Sequence, residues 1–429
     1  MNGRDDVFVH DRMTGVTERV SVSTGGGEAH GDSLYPSISS DGRFVAFFSV
    51  ASNLVLGDQN YSDIFVRDRW FGTTELISVS SDGHQANGEC DGASISADGR
   101  FVAFRSHATN LVENDTNNET DVFVRDRLRG LTFRVSLTNL GGQANGSCFD
   151  PVISGNGRLV AFTSFARNLV GNDNNGMPDV YLRDTLGRTT MLVSTNRSGF
   201  SGYGHSYTDS ISADGRYVSF TSEAGDLVLG DTNDTWDAFV RDVVHRKTII
   251  ASIGASGQSG NDSSGDSSIS ADGRWMAFYS LATNLVEGDE NNRYDVFIRD
   301  TRTPTTELVS VSSSSEQAND HSFQPEINYA GNLVVFSSYA SNLVRGDSNA
   351  FEDVFVRERS RPEDTQQRNL VVRDEPPQPA SVGAATRCDG EPSNAANPDG
   401  VHRSQSQAPR RGNRTAGTGQ PARVCRPRP

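Results

Sequence analysis

Six stretches of this 429-residue sequence repeat one pattern of side-chain oxygens: GDQNYSD, NDTNNETD, NDNNGMPD, GDTNDTWD, GDENNRYD and GDSNAFED. The oxygens fall at Asp58/Asn60/Asp63, Asp115/Asn117/Asp121, Asp173/Asn175/Asp179, Asp231/Asn233/Asp237, Asp289/Asn291/Asp295 and Asp347/Asn349/Asp353. Calcium is a hard cation that takes about 6–8 oxygen ligands, often from a tight loop with ligands at alternate positions. Asp-x-Asn followed by a further Asp resembles the start of such a loop. Backbone carbonyls and water would have to complete the shell, and the glycine and bidentate glutamate of an EF-hand are missing. The same residues also make Asx-turns that shape a long loop. The sequence leaves calcium ligation and turn formation as its two readings.

A second constellation lies at one register of the same repeat: His30, Asn87, Asn145, Tyr203, Asn261 and Asn319. Glu28, Gln85, Gln143 and Gln317 stand two places earlier. A ring of amides with one His and one Tyr, placed at a channel mouth, has the donors and acceptors to hold a sugar or a peptide. Hydrogen bonding that fastens neighbouring loops is the structural alternative.

Catalytic signatures are missing. The sequence has no GxSxG, HExxH or P-loop motif. The eight His are scattered, and no register of the repeat carries His throughout. Carboxylates are abundant, so a polysaccharide- or peptide-active enzyme with carboxylates at the channel mouth is the alternative to a binding role. The Arg-Asp couples that close one strand of each repeat, Arg67-Asp68 to Arg299-Asp300 with Arg357-Glu358 last, are expected to be surface or inter-blade ion pairs.

The elements that must position these residues come from an internal repeat of about 58 residues. The turn glycine recurs at Gly42, Gly99, Gly157, Gly215, Gly273 and Gly331, with a first spacing of 57 and then 58 throughout. The aromatic of DVFVRD recurs at Phe8, Phe65, Phe123, Tyr181, Phe239, Phe297 and Phe355. Each unit reads as four short strands: PSIS-like, RFVAFFS-like, DVFVRD-like and TELISVS-like. An Asp-Gly hairpin turn joins the first two. Four antiparallel strands repeated radially is the plan of a β-propeller, because one blade cannot bury both of its faces alone. The sequence therefore predicts an all-β, six-bladed propeller of four-stranded blades over residues 1–359. The simplest closure gives the last blade its outer strand from the N-terminus. Residues 5–10 supply a seventh copy of strand three, so seven blades is the other count if the N-terminus is truncated.

Composition bounds the partners. The net charge is −16, but residues 361–429 hold 11 Arg against 7 acids, which leaves about −20 for the rest. So acidic a body repels phosphate and argues against nucleic acid. No apolar run approaches the roughly 18–20 residues of a membrane helix, and the first residues lack the apolar stretch of a signal peptide. A monomer is expected. Residues 360–429 hold ten of the 15 Pro, lose the repeat and are expected to be a disordered tail. Cys90 and Cys148 lie one repeat apart; they either pair or stay free where other repeats carry Ser.

The units SISADGRFVAF…DVFVRD resemble the TolB-type propeller repeat, whose hallmark is an SPDGxxIAF strand pair followed by a D-I-Y-V-x-D strand. The resemblance covers about residues 5–359. It implies a six-bladed fold in a secreted or periplasmic protein of a bacterial exported subgroup, and it does not imply an enzyme. The reading as a whole is a non-enzymatic binding or scaffolding propeller. Its ligand would be a protein, peptide or glycan at a propeller mouth, and calcium is its one candidate cofactor.

Overall fold

The turn at Ser39–Phe44 shows how the sequence sets the first hairpin of each unit. Gly42 takes φ 70°, a left-handed value that costs little without a Cβ. Its N–H donates to Ser39 O at 2.9 Å. Asp41 Oδ1 accepts from Ser39 Oγ and from the Arg43 N–H at 2.6 and 3.0 Å, which fixes the bend. The equivalent glycines Gly99, Gly157, Gly215, Gly273 and Gly331 all have positive φ.

The computed structural model describes residues 2–58 and 62–359. Among these every named element is a strand. A hairpin of β1 (Phe8–Asp11) and β2 (Val16–Arg19) comes first. Blade 1 follows with β3 (Ser33–Ile38), β4 (Phe44–Ser49), β5 (Asp63–Asp68) and β6 (Thr73–Leu76), antiparallel in sequence order. Blades 2 to 5 repeat that order over residues 90–134, 148–192, 206–250 and 264–308. Blade 6 has three strands, Ser322–Ile327, Leu333–Ser338 and Asp353–Glu358. The fold is the expected six-bladed β-propeller. Residues 360–429, the expected tail, lie outside the described residues, as does Asn60.

Side chains alternate between the two faces of each blade, and both faces carry apolar residues because a neighbour covers each. Within each blade the aromatics of strands two and three stack, as in Phe104–Phe123 at 5.9 Å between centroids. Such a pair adds about 0.5–1.5 kcal/mol to its burial. Between blades, Val122 and Val124 of blade 2 pack in one cluster with Val160, Phe162 and Tyr181 of blade 3. The first strands lie innermost and are tied to one another: Ser37 Oγ accepts the Ile95 N–H, and Ser94 Oγ the Ile153 N–H, each at 3.1 Å.

The expected clasp is absent. β2 pairs with β1 in a sheet of its own and does not complete blade 6. The reason is packing: Val7 and Val20 at that hairpin join Val45, Phe47 and Phe65 of blade 1, as a preceding blade would. The hairpin therefore acts as an outer half-blade ahead of blade 1. The flanks at this junction stay open. Ile38 is 49% exposed where its counterpart Ile95 is 7% exposed, and Val354 on blade 6 is 44% exposed where Val122 is 0%.

Candidate functional site

Both constellations lie at one end of the blades, where strand two passes to strand three and strand four passes to the next strand one. The Asp that opens each third strand is fixed from below. Ser78 Oγ donates to Asp63 Oδ1 while accepting the Ile64 N–H, and Ser136, Ser194, Ser252 and Ser310 do the same for Asp121, Asp179, Asp237 and Asp295. These carboxyls are fully buried, and Asp353 is nearly so. Burial is the first cause of their raised pKa: Asp63 and Asp295 are pushed up to about 6, Asp179 and Asp237 to about 7, and Asp121 upward.

The loop brings the first Asp of each pattern beside this buried one. In blade 1 Gln85 Nε2 donates to Asp58 Oδ1 and Asp63 Oδ2 at 2.8 and 2.7 Å. In blade 5 Gln317 bridges Asp289 and Asp295 at 2.7 and 3.0 Å. In blade 2 Arg134 reaches Asp115 at 3.1 Å and Asp121 at 3.2 Å. The middle residue does not present its oxygen to the pair. Asn117, Asn291 and Asn349 donate Nδ2 to Asp121, Asp295 and Asp353. Asn175 and Asn233 donate to Gly202 O and Gly260 O in the following loop. Asp347 opens the sixth pattern ahead of Asn349. Among the described residues no group of three or more His, Cys, Asp and Glu has the geometry to hold a metal.

The expected amide ring is exposed at His30, Asn87, Asn145, Tyr203, Asn261 and Asn319. The Asn side chains of this ring are engaged inside their own blades. Asn87 Oδ1 accepts the Thr109 N–H and its Nδ2 donates to Thr109 Oγ1, at 2.8 and 3.1 Å. Asn261 and Asn319 repeat this with Thr283 and Ser341. Asn145 Oδ1 takes the Arg167 N–H. The backbone N–H of His30 and of Tyr203 donates to Asn53 and Asp226. The fastening joins two loops of one blade.

The innermost strands carry residues that the sequence reading passed over. Each strand one shifts register at its middle, between Leu34 and Ser37 in blade 1 and between Phe149 and Val152 in blade 3. At these bulges Tyr35, Asp150, Asp266 and Gln324 adopt φ of 53°, 50°, 23° and 51°. Left-handed non-glycine residues concentrate where function holds them. Five consecutive inner strands bear a carboxylate: Asp91, Asp150, Asp209, Asp266 and Glu326. Arg105 pairs with Asp91. Asp209 accepts from Thr221 Oγ1 and from Ser267 of the next blade at 2.8 and 2.7 Å, and Glu326 accepts from Ser268 at 2.8 Å. The signal in the sequence was the break in strand alternation at these positions.

Elsewhere the ion pairs differ from expectation. Arg67 does not pair with Asp68. Arg67 is buried and donates to Thr74 Oγ1, Gly72 O and Ser23 O, the last across the blade boundary. Asp68 pairs with Arg43 of its own blade at 2.6 Å. Cys90 and Cys148 are free and buried, each against a Ser hydroxyl at 3.1 Å. His245 lies 2.8 Å from Asp242 at the opposite, turn end of its blade, far in sequence from either constellation.

No family model matches the sequence, and no curated protein is similar to it. Solved structures are similar in fold. TolB from Acinetobacter baumannii is 17% identical over 70% of this chain and 61% of its own, with a TM-score of 0.39. Acylaminoacyl peptidase from Pyrococcus horikoshii is 13% identical over 77% of this chain and 46% of its own, with a TM-score of 0.45. Oligogalacturonate lyase from Vibrio parahaemolyticus is 12% identical over 82% of this chain and 83% of its own, with a TM-score of 0.50. The chain thus spans about three fifths of the Acinetobacter TolB. The likeness to the oligogalacturonate lyase, at a TM-score of 0.50, is one of fold alone. No helix of the described residues is long and apolar enough to cross a membrane.

Proposed function

We propose that this chain is a non-enzymatic binding propeller that takes a protein segment or peptide with cationic side chains at its central channel. One observation carries the reading: five neighbouring inner strands each bring a carboxylate to the channel wall, Asp91, Asp150, Asp209, Asp266 and Glu326, and Arg105 pairs with the first of them. A channel lined by one sign of charge raises the local concentration of the opposite charge and orients it. The excess of about −20 over residues 1–360 acts in the same direction. A periplasmic or secreted setting suits this role.

The rival reading is a polysaccharide- or peptide-active enzyme that uses two of the same carboxylates as acid and base. The test is fluorescence anisotropy with labelled peptides of equal length, one rich in Lys and Arg and one rich in Glu. The cationic peptide should bind, weaken with added salt, and weaken at least tenfold in the Asp150→Asn, Asp266→Asn double variant. Equal binding of both peptides would overturn the proposal. So would turnover of a polysaccharide panel that the double variant abolishes.

A further inference from the structure

We infer that the loops of blades 3 and 4 each hold one calcium ion, between Asp173 and Asp179 and between Asp231 and Asp237, and that the equivalent pairs of blades 1, 2 and 5 hold none. The inference is independent of the channel reading. It rests on what stands between the two carboxylates in each blade. In blade 2 that group is a guanidinium: Arg134 lies 3.1 Å from Asp115 and 3.2 Å from Asp121. Ahead of blade 1 the same arrangement recurs, with Arg19 at 2.7 Å from Glu28 and 3.4 Å from Asp6. In blades 1 and 5 the position of Arg134 is taken by Leu76 and Leu308, and the amides of Gln85 and Gln317 bridge the pair instead.

Blades 3 and 4 have neither device. Leu192 and Ile250 replace the arginine, and Ser201 and Ser259 replace the glutamine. A serine hydroxyl is too short to bridge; Ser201 Oγ donates to Asn174 Oδ1 instead. The outcome is visible in the buried oxygens. Asp179 and Asp237 are 0% exposed, and Oδ2 of each, like Asp173 Oδ1, meets no donor in hydrogen-bond geometry. Burial raises both carboxyls; the Asn175 and Asn233 amides stand near enough to lower them in part but spend their bonds on Gly202 O and Gly260 O. Asp173 takes the Tyr181 hydroxyl on its other oxygen at 2.6 Å, which leaves Oδ1 for the pocket. Asp58 Oδ2 in blade 1 is also unpartnered, but there Gln85 already joins both carboxylates.

A buried carboxylate that faces a second, half-buried one with no positive partner between them is costly. A cation offsets it, and the guanidinium of blade 2 marks the place where positive charge belongs. Two carboxylates supply charge but few ligands, so the remaining oxygens must come from loop carbonyls and water. Such an open, irregular shell suits calcium, which accepts about 6–8 oxygens in flexible geometry, better than magnesium, which demands a near-ideal octahedron.

The test is isothermal titration of the full chain, stripped with chelator, with calcium chloride and separately with magnesium chloride. Two calcium ions per chain are expected, since in blade 6 the Asn349 amide holds Asp353 Oδ2 at 2.9 Å, with magnesium bound at least tenfold more weakly. Ser201→Gln and Ser259→Gln import the amide of blades 1 and 5. Each should remove one ion, and the double variant both, while circular dichroism and the melting temperature in chelator stay at or above wild type. Uptake of no calcium by the wild type would overturn the inference. Two ions still bound by a folded double variant would overturn it equally.

Discussion

Arg134 lies 3.1 Å from Asp115, and one blade further on the place of that guanidinium is held by Leu192. The repeat thus keeps its carboxylates and varies what neutralises them. Arg134 side-chain atoms and both carboxylates are nearly inaccessible to solvent. Arg134→Leu should then leave a buried charged pair and destabilise the protein by about 3–5 kcal/mol in chelator, the range for breaking one member of a buried ion pair. With Gln143→Ser added, the pocket matches blade 3 in both its Leu and its Ser. In that double variant calcium should recover most of the loss, and the calcium stoichiometry should rise by one. Thermal unfolding in calcium and in chelator measures both.

The thiols give a separate check on burial. Cys90 and Cys148 are 1% and 0% exposed, and burial pushes both thiols well above the usual range. The thiolate is the reactive form. In a chain carrying Cys388→Ser and Cys425→Ser, a disulfide reagent should find no reactive thiol under native conditions and two in strong denaturant. Rapid native reaction of either would contradict the packing around Ser106 and Ser164.

Acid should act through the pairs at the turn end. Arg158 lies 2.5 Å from Asp184 and, with the Gly187 and Leu186 N–H groups, lowers its carboxyl to about 2. A carboxyl held below its unfolded value of about 3.9 stabilises the fold above that pH and loses its contribution as pH falls toward 2. Asp242 is lowered as well; burial opposes this, and bonds from Arg216 and His245 outweigh it. Asp184→Asn should cost about 1 kcal/mol at pH 6, after allowance for solvent screening. The gap to wild type should close as the pH drops from 4 toward 2. A gap independent of pH would mean that the pair carries no charge-dependent stability.

Much of this was legible before any coordinates. The Asp-Gly turns, the strand order and the blade plan follow from residues such as Asp41-Gly42 and from the spacing of Phe65, Phe123 and Tyr181. The clasp was not legible, because β2 and an outer strand for blade 6 have the same pattern, and only packing on Val45 and Phe47 decides between them. The loop carboxylates were legible as residues but not as six unlike sites. Their difference lies in Arg19, Arg134, Gln85 and Gln317, which come from strand four or from the following loop. Sequence distance hides those partners; alignment of the repeats exposes them. The channel carboxylates were hidden by the inner-strand bulges, where the two-residue period that guides strand reading breaks.

The blade boundary can be tested at its glycines. Gly42 and Gly99 are the same turn residue, with φ of 70° and 71°. A Cβ on Gly99 would come within 2.1 Å of the Phe44 ring in the preceding blade, and at Gly157 and Gly273 the clash with Phe101 and Tyr217 is as close. On Gly42 a Cβ would meet only an Arg69 nitrogen at 3.6 Å, because the half-blade ahead of blade 1 has no second strand to supply an aromatic. Both substitutions by Ala incur the backbone cost of a left-handed residue, about 1 kcal/mol. Only Gly99→Ala adds a collision with a ring locked between two blades, where overpacking costs roughly 1–3 kcal/mol more. Denaturant titration should therefore place Gly99→Ala well below Gly42→Ala in stability, with equal slopes for the two. Equal losses would show that a blade packs against Gly42 as closely as Phe44 packs against Gly99, and the junction at blade 1 would then be closed.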